Sequence, residues 1–245
     1  YINKVLENMP KNWLNLTTHR LDIYDEKLAK TQFLKQFEVL FNAKNSEALS
    51  LDELPTAYDY IRLGHPLSCL VEWVIAHLNN TNPNNVISFS SKTASILAIL
   101  RKNLFANKNT QIIYTGKLPD FFNAELLRRI YGYKFDLLKV ENTSAISKFN
   151  GSTIFISQKE DIFNFDLRST IDFSINIHTL LGSILVVNGE HNESYISDIQ
   201  HVRRRETIAM TPANSLAALK FLIEPSSVHA TKNKKETSKT LVLDS

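Results

Sequence analysis

Apolar positions recur along this chain with two periods, and the switches between them divide it into elements. From Pro66, the residues Leu67, Leu70, Val71, Val74, Ile75 and Leu78 recur every three or four positions, which predicts a helix with one continuous apolar face. Asn79 to Asn85 is polar turn sequence, and Pro83 blocks continuation of the helix. Val86 to Phe89 reads as a short buried strand, and Ile96, Ile99, Leu100 and Leu104 mark a second helix. The alternation continues with a strand over Gln111 to Tyr114, a helix over Phe121 to Tyr131, and strands over Lys134 to Val140 and Ser152 to Ile156. Two further strands, Ile171 to Ile177 and Ser183 to Val187, are joined by the short link His178-Thr179-Leu180-Leu181-Gly182. That link predicts an antiparallel pair, because a parallel return takes about a dozen residues or more. Ser194 to Thr207 and Asn214 to Ile223 read as closing helices.

Strands alternating with helices place the chain in the α/β class with a mostly parallel sheet. The main domain is expected over residues 58–224. Residues 1–57 form an N-terminal helical arm: Leu28, Phe33, Phe37, Leu40 and Phe41 give an apolar stripe, with Asp25 as its cap. Such a stripe packs on the main domain or on a neighbouring subunit. Residues 225–245 are polar and lysine-rich without a stripe, and disorder is expected there.

Composition narrows the classes. With 245 residues and 43% hydrophobic content, the chain can bury the core of one domain with an arm. Its 28 Lys and Arg against 25 Asp and Glu leave +3, too little to argue for nucleic acid without a clustered patch. Arg203, Arg204 and Arg205 do cluster, but three in a row project around a helix, so a solvated or inter-subunit surface is expected. The single cysteine, Cys69, falls on the register of the first helix; it is read as core, allows no intrachain disulfide and suits a reducing compartment. No apolar run approaches a membrane span, and the first residues lack the basic-then-apolar order of a signal peptide, so the chain reads as cytoplasmic, with no membrane partner. His65, His77, His178, His191 and His201 are scattered, without the spacing a metal site needs.

The candidate chemistry lies between Tyr58 and Leu104. A Gly64-His65-Pro66 turn opens one helix, and after the strand a Ser90-Ser91-Lys92-Thr93 turn opens the next. That is the layout of a phosphate-binding strand-turn-helix, in which first-turn N–H groups can face an anion. Tyr60-Ile61-Arg62-Leu63-Gly64-His65-Pro66 resembles the Tyr-x-Arg-x-x-Asn-Pro signature of the Cys/Met-metabolism pyridoxal-phosphate enzymes, the cystathionine synthases and lyases, with His65 in place of Asn. Phe89-Ser90-Ser91-Lys92-Thr93-Ala94 resembles that family's Phe-Ser-Ser-Gly-Met-Ala turn. Ile171 to Val187 is similar to its strand, Schiff-base loop and return strand, Leu181-Gly182 matching the family's Leu-Gly. Arg203 to Leu222 resembles the segment that follows, and a shortening falls between Phe155 and Thr170.

The resemblance implies a three-layer sandwich like the large domain of fold-type I enzymes, with no counterpart of the C-terminal small domain. It also implies a dimer, Tyr60 and Arg62 reaching in from the neighbouring subunit. Tyr60, Arg62, Ser90, Ser91, Lys92, Thr93, Asn176 and His178 would then surround the cofactor. An arginine suits that role because its planar fork donates two parallel hydrogen bonds to phosphate.

The departures change the functional expectation. Thr179 stands at the Schiff-base lysine, and a hydroxyl cannot form an imine or shuttle the Cα proton as an amine does. No lysine lies between Lys159 and Lys220. Lys92 replaces the glycine of the phosphate turn, the ring-stacking aromatic falls near Leu118-Pro119, and Ser157 and Gln158 stand where a carboxylate should meet the pyridinium, Asp161 being the nearest acid. Only six glycines fit a fold released from close approach to a cofactor. The reading is a catalytically silent homologue acting as scaffold, regulator or non-catalytic subunit, as a homodimer or a heteromer with an active relative, with no cofactor expected. The alternative is an enzyme holding pyridoxal phosphate or another phosphometabolite non-covalently, with altered lyase or transferase chemistry on sulfur amino acids. A nucleotide or sugar-phosphate protein of unrelated doubly wound fold is disfavoured by the lack of a Gly-x-Gly-x-x-Gly or Walker turn.

Overall fold

The computed structural model describes residues 1–15, 26–55, 61–141 and 146–224. Asp25, Tyr58, Tyr60 and the 225–245 tail, singled out above, lie outside these. Six strands form one sheet in the order β1-β6-β5-β4-β2-β3: β1 Val86–Phe89, β2 Thr110–Tyr114, β3 Phe135–Lys139, β4 Ser152–Ser157, β5 Phe173–His178 and β6 Gly182–Val187. β3, β2, β4 and β5 pair in parallel, and β6 runs antiparallel to both β5 and β1. Five strands therefore point one way, and only β6 returns.

Side chains alternate across each strand, and the alternation sorts the core into two layers. On β6, Ile184 and Val186 face one cluster, Leu185 and Val187 the other. The first layer holds α1 (Ile2–Asn8), α2 (Glu26–Asn42), α3 (Ala48–Asp52), α4 (Pro66–Leu78) and α8 (Pro212–Ile223). The second holds α5 (Ala94–Phe105), α6 (Ala124–Tyr131) and α7 (Ser194–Glu206). The arm helix α2 packs on the main body: Phe33 and Phe37 are buried against α4, the Phe37 ring meeting Trp73 edge-on at 5.3 Å. Burial of a side chain of this size contributes about 2 kcal/mol.

The structure departs from the sequence reading at element boundaries and at one arginine. α6 starts at Ala124 rather than Phe121, because Asn123 accepts the Leu126 N–H at 2.9 Å and caps the helix, leaving Phe121 in the preceding turn and 92% exposed. β5 begins at Phe173, since Asp172 points its carboxylate at the Thr153 N–H of β4. Arg203 is not on a surface: it is 3% exposed and belongs to the interior cluster described below.

The parallel neighbours β4 and β5 are joined without a helix. The crossover over 158–172 is irregular, and it seats Ile162 and Phe163 in the first layer where a helix would otherwise bury its stripe. At the far edge, Arg128 of α6 donates to the Phe135 carbonyl of β3 through Nε at 3.2 Å and Nη2 at 2.9 Å. That fills a hydrogen-bonding position an edge strand would otherwise offer to another chain.

Candidate functional site

Because five strands run the same way, their carboxyl ends line one edge of the sheet, the place where open α/β folds bind ligands. Along that edge stand Ser90 and Ser91 after β1, the His178–Gly182 turn between β5 and β6, Ser157 and Gln158 after β4, and Tyr114 at the end of β2. The strand order thus brings the Ser-Ser turn beside the Thr179 turn, although 88 residues separate Ser91 from Thr179.

An ion cluster fixes the end of β1. Glu72 of α4 is 1% exposed, and its Oε1 accepts from the Ser88 N–H and hydroxyl, each at 2.8 Å, and from Arg203 Nη1 at 3.0 Å. Its Oε2 meets Lys30 Nζ at 2.5 Å. Lys30 also donates to the carbonyls of Pro83 and Val86, and Arg203 to those of Leu63 and Ser88. Burial pushes the Glu72 carboxyl up, but the two cations outweigh it and hold it below the usual carboxylate range. The cluster locks α2, α4, α7 and β1 together two residues before Ser90.

His65, standing for the family's Asn, caps α4. Its Nδ1 accepts the Ser68 N–H at 3.2 Å, the Ser68 hydroxyl faces the His65 backbone, and Nε2 donates to the Met210 carbonyl at 2.7 Å. The ring is fully buried, and desolvation drops its pKa to about 4. The segment after α7 is stitched in alongside: the Ala209 N–H donates to Ile61 O, and the Ser90 N–H to Ile208 O.

The residues expected around a phosphate have partners within the chain. The Ser90 hydroxyl donates to the Ala209 carbonyl at 2.7 Å. Ser91 Oγ accepts from Thr93 N and Ala94 N at 3.2 and 3.1 Å, so it takes up first-turn donors of α5. Thr93 itself caps with no side-chain bond. Arg62 Nη1 donates to the carbonyls of Arg204 and Arg205, at the end of α7, where a cation meets the negative pole of the helix. Lys92 is exposed.

On β5, Asn176 is 1% exposed; it donates to the Asp161 carbonyl at 2.7 Å and accepts the Lys159 N–H at 3.2 Å, fastening the irregular crossover. His178 Nδ1 accepts from Leu180 N and Leu181 N at 3.1 and 3.2 Å and so builds the turn. Thr179 is exposed at its tip. Gly182 closes it with φ +115°, where an added Cβ would lie 2.1 Å from the Phe89 carbonyl oxygen. Asp161 Oδ1 accepts the Phe163 N–H at 2.9 Å, a local turn rather than a site contact.

No protein-family model matches the sequence, and no curated protein matches it. Among solved structures, a cystathionine gamma-lyase from yeast superimposes with a TM-score of 0.52 at 10% identity, over 90% of this chain and 62% of that one. The chain has the fold of the large domain of fold-type I pyridoxal-phosphate enzymes. A cystathionine gamma synthase from Xanthomonas oryzae pv. oryzae matches at 12% identity and TM-score 0.46, over 69% of this chain and 54% of its own. A cystathionine gamma-lyase from Lactobacillus plantarum matches at 14% and 0.40, over 67% and 52%. This chain spans about half the length of the latter two.

One aromatic at the carboxyl edge was not singled out from the sequence. No ring stands at Leu118-Pro119, but Tyr114 ends β2 at the carboxyl edge, partly buried against the second layer. The strand-final position was the available signal, since side chains at strand ends face the ligand edge in this fold class. Cys69 is core, 1% exposed, and burial pushes its thiol up to about 12. Among the described residues no group of three or more His, Cys, Asp or Glu could hold a metal, and no helix is long and apolar enough to cross a membrane.

Proposed function

We propose that this chain is a catalytically silent homologue of the Cys/Met-metabolism pyridoxal-phosphate enzymes, working in the cytoplasm through its surface as a scaffold, regulator or non-catalytic subunit. The observation that carries this reading is the Thr179 turn. A hydroxyl occupies the tip of the link between β5 and β6, where the resemblance requires an amine that forms an imine with an aldehyde. The neighbouring groups support it. Ser90, Ser91, Arg62 and Asn176 are bonded to Ala209, to the start of α5, to the end of α7 and to the crossover. Releasing any of them to hold a phosphate would sacrifice a contact that positions the fold. The residues present do not fit pyridoxal phosphate as a covalent cofactor.

A dimer or a heteromer with an active relative belongs to the same proposal, supported by the family resemblance. The test is to purify the protein, add pyridoxal phosphate and follow the visible absorption and the melting temperature. Absence of an imine band and of a thermal shift supports the silent reading. A saturable shift without an imine band favours the alternative, a non-covalent phosphometabolite enzyme using Lys92 and the Ser-Ser turn. Co-purification with an active cystathionine enzyme tests the subunit role.

A further inference from the structure

A cavity of about 400 Å³ opens at the amino edge of the sheet, opposite Ser91 and Thr179, between the start of β4, the turn before β5 and the residues after β6. Lys108, Lys148, Thr170, Asp172 and His191 stand in its walls, with Phe149 as apolar surface. Asp172 is saturated: it accepts from Thr153 N at 2.8 Å and Asn192 Nδ2 at 2.9 Å, and faces His191 Nε2 at 3.0 Å. The two ammonium groups meet no carboxylate among the described residues; that of Lys108 lies 5.7 Å from the centroid of the Tyr195 ring. The Thr170 hydroxyl is buried and has no hydrogen-bond partner among the described residues. Its oxygen is closed to solvent, so the polar groups open to the cavity are the two ammonium groups.

We infer that this cavity binds the phosphomonoester group of a small metabolite. Two lysines match the charge of a phosphate dianion as point charges with rotatable donors. The volume falls within the range of about 300–1,000 Å³ usual for small-molecule sites, with room for a sugar ring beside Phe149. The inference does not rest on the state of the carboxyl edge, because the two sites use different residues at opposite ends of the strands.

The test is calorimetry and thermal melting of the full chain with ribose 5-phosphate, inorganic phosphate and ribose. Both phosphates should bind saturably and more weakly at high salt, and ribose should not bind. Lys108→Gln with Lys148→Gln should weaken ribose 5-phosphate about tenfold or more, and Lys92→Gln at the opposite edge not at all. Should the double variant unfold, Lys148→Gln alone, at an exposed side chain, must still weaken binding severalfold. The inference is overturned if neither phosphate binds at millimolar concentration, if the lysine variants leave binding unchanged, or if Lys92→Gln abolishes it.

Discussion

Replacing Glu72 by Gln tests what holds the carboxyl edge in place. Glutamine keeps the size of the side chain and can still accept from Ser88, but it leaves Lys30 and Arg203, with side chains only 3% and 4% exposed, without a counter-charge. Removing one partner from a buried ion cluster costs about 3–5 kcal/mol, a large share of the roughly 5–15 kcal/mol that keeps a domain folded. At about 2–4 °C per kcal/mol for a chain of this size, the melting temperature should fall by about 6–20 °C. Urea unfolding followed by tryptophan fluorescence is a suitable assay, because Trp13 and Trp73 both lie in the first layer. Changing Lys30, Glu72 and Arg203 together to Met should cost far less, since no charge is then left buried and unpaired. The pH dependence has a defined sign. Glu72 titrates lower in the folded chain than unfolded, so its contribution is present above the ordinary carboxylate range and lost as pH falls through the folded value. A loss under about 1 kcal/mol in Glu72→Gln would show instead that solvent reaches the cluster and that the buried pairing is not what holds this edge.

Other outcomes follow from single residues. His65 drops to about 4 in the fold from an ordinary 6.5, so the unfolded chain binds more protons between those values. Its contribution, about 3 kcal/mol in full, should be present above pH ~6.5 and lost toward pH ~4; urea midpoints measured against pH should show this slope, and His65→Asn should flatten it. Gly182→Ala should destabilise by about 2 kcal/mol or more, because its Cβ would press on the Phe89 carbonyl, and hydrogen exchange should rise first in β1 and β6. Cys69, with its thiol near 12, should resist a thiol reagent at neutral pH until urea exposes it.

Much of the fold was legible because its elements bury whole faces. The α4 stripe reads directly from Leu67 to Ile75, all of it buried, while Leu78 at the helix end is left 52% exposed; the four-residue strand Val86–Phe89 reads as directly and is buried at every position. The antiparallel return of β6 followed from the length of its link. What escaped depended on distant partners. Arg203 looked like one of three solvated arginines, and only the approach of Glu72, 131 residues earlier, makes it interior. The β4–β5 crossover carries Ile162 and Phe163 without a helical period, so its role in covering the first layer left no periodic trace. At the site, Thr179 was plain from the sequence, whereas the bonds of Ser90 to Ala209 and of Arg62 to the end of α7 span more than a hundred residues and left no local pattern.

If the chain is silent, no side chain at the carboxyl edge forms an imine with pyridoxal phosphate. Lys92, Lys117 and Lys159 are lysines on loops at that edge, so they are the amines to watch. Incubation with the cofactor, borohydride reduction and intact-mass analysis with peptide mapping measures this directly. An unmodified mass at equimolar cofactor is the expected result. A single stoichiometric adduct mapped to one edge lysine would contradict it and make this chain an enzyme with a relocated amine.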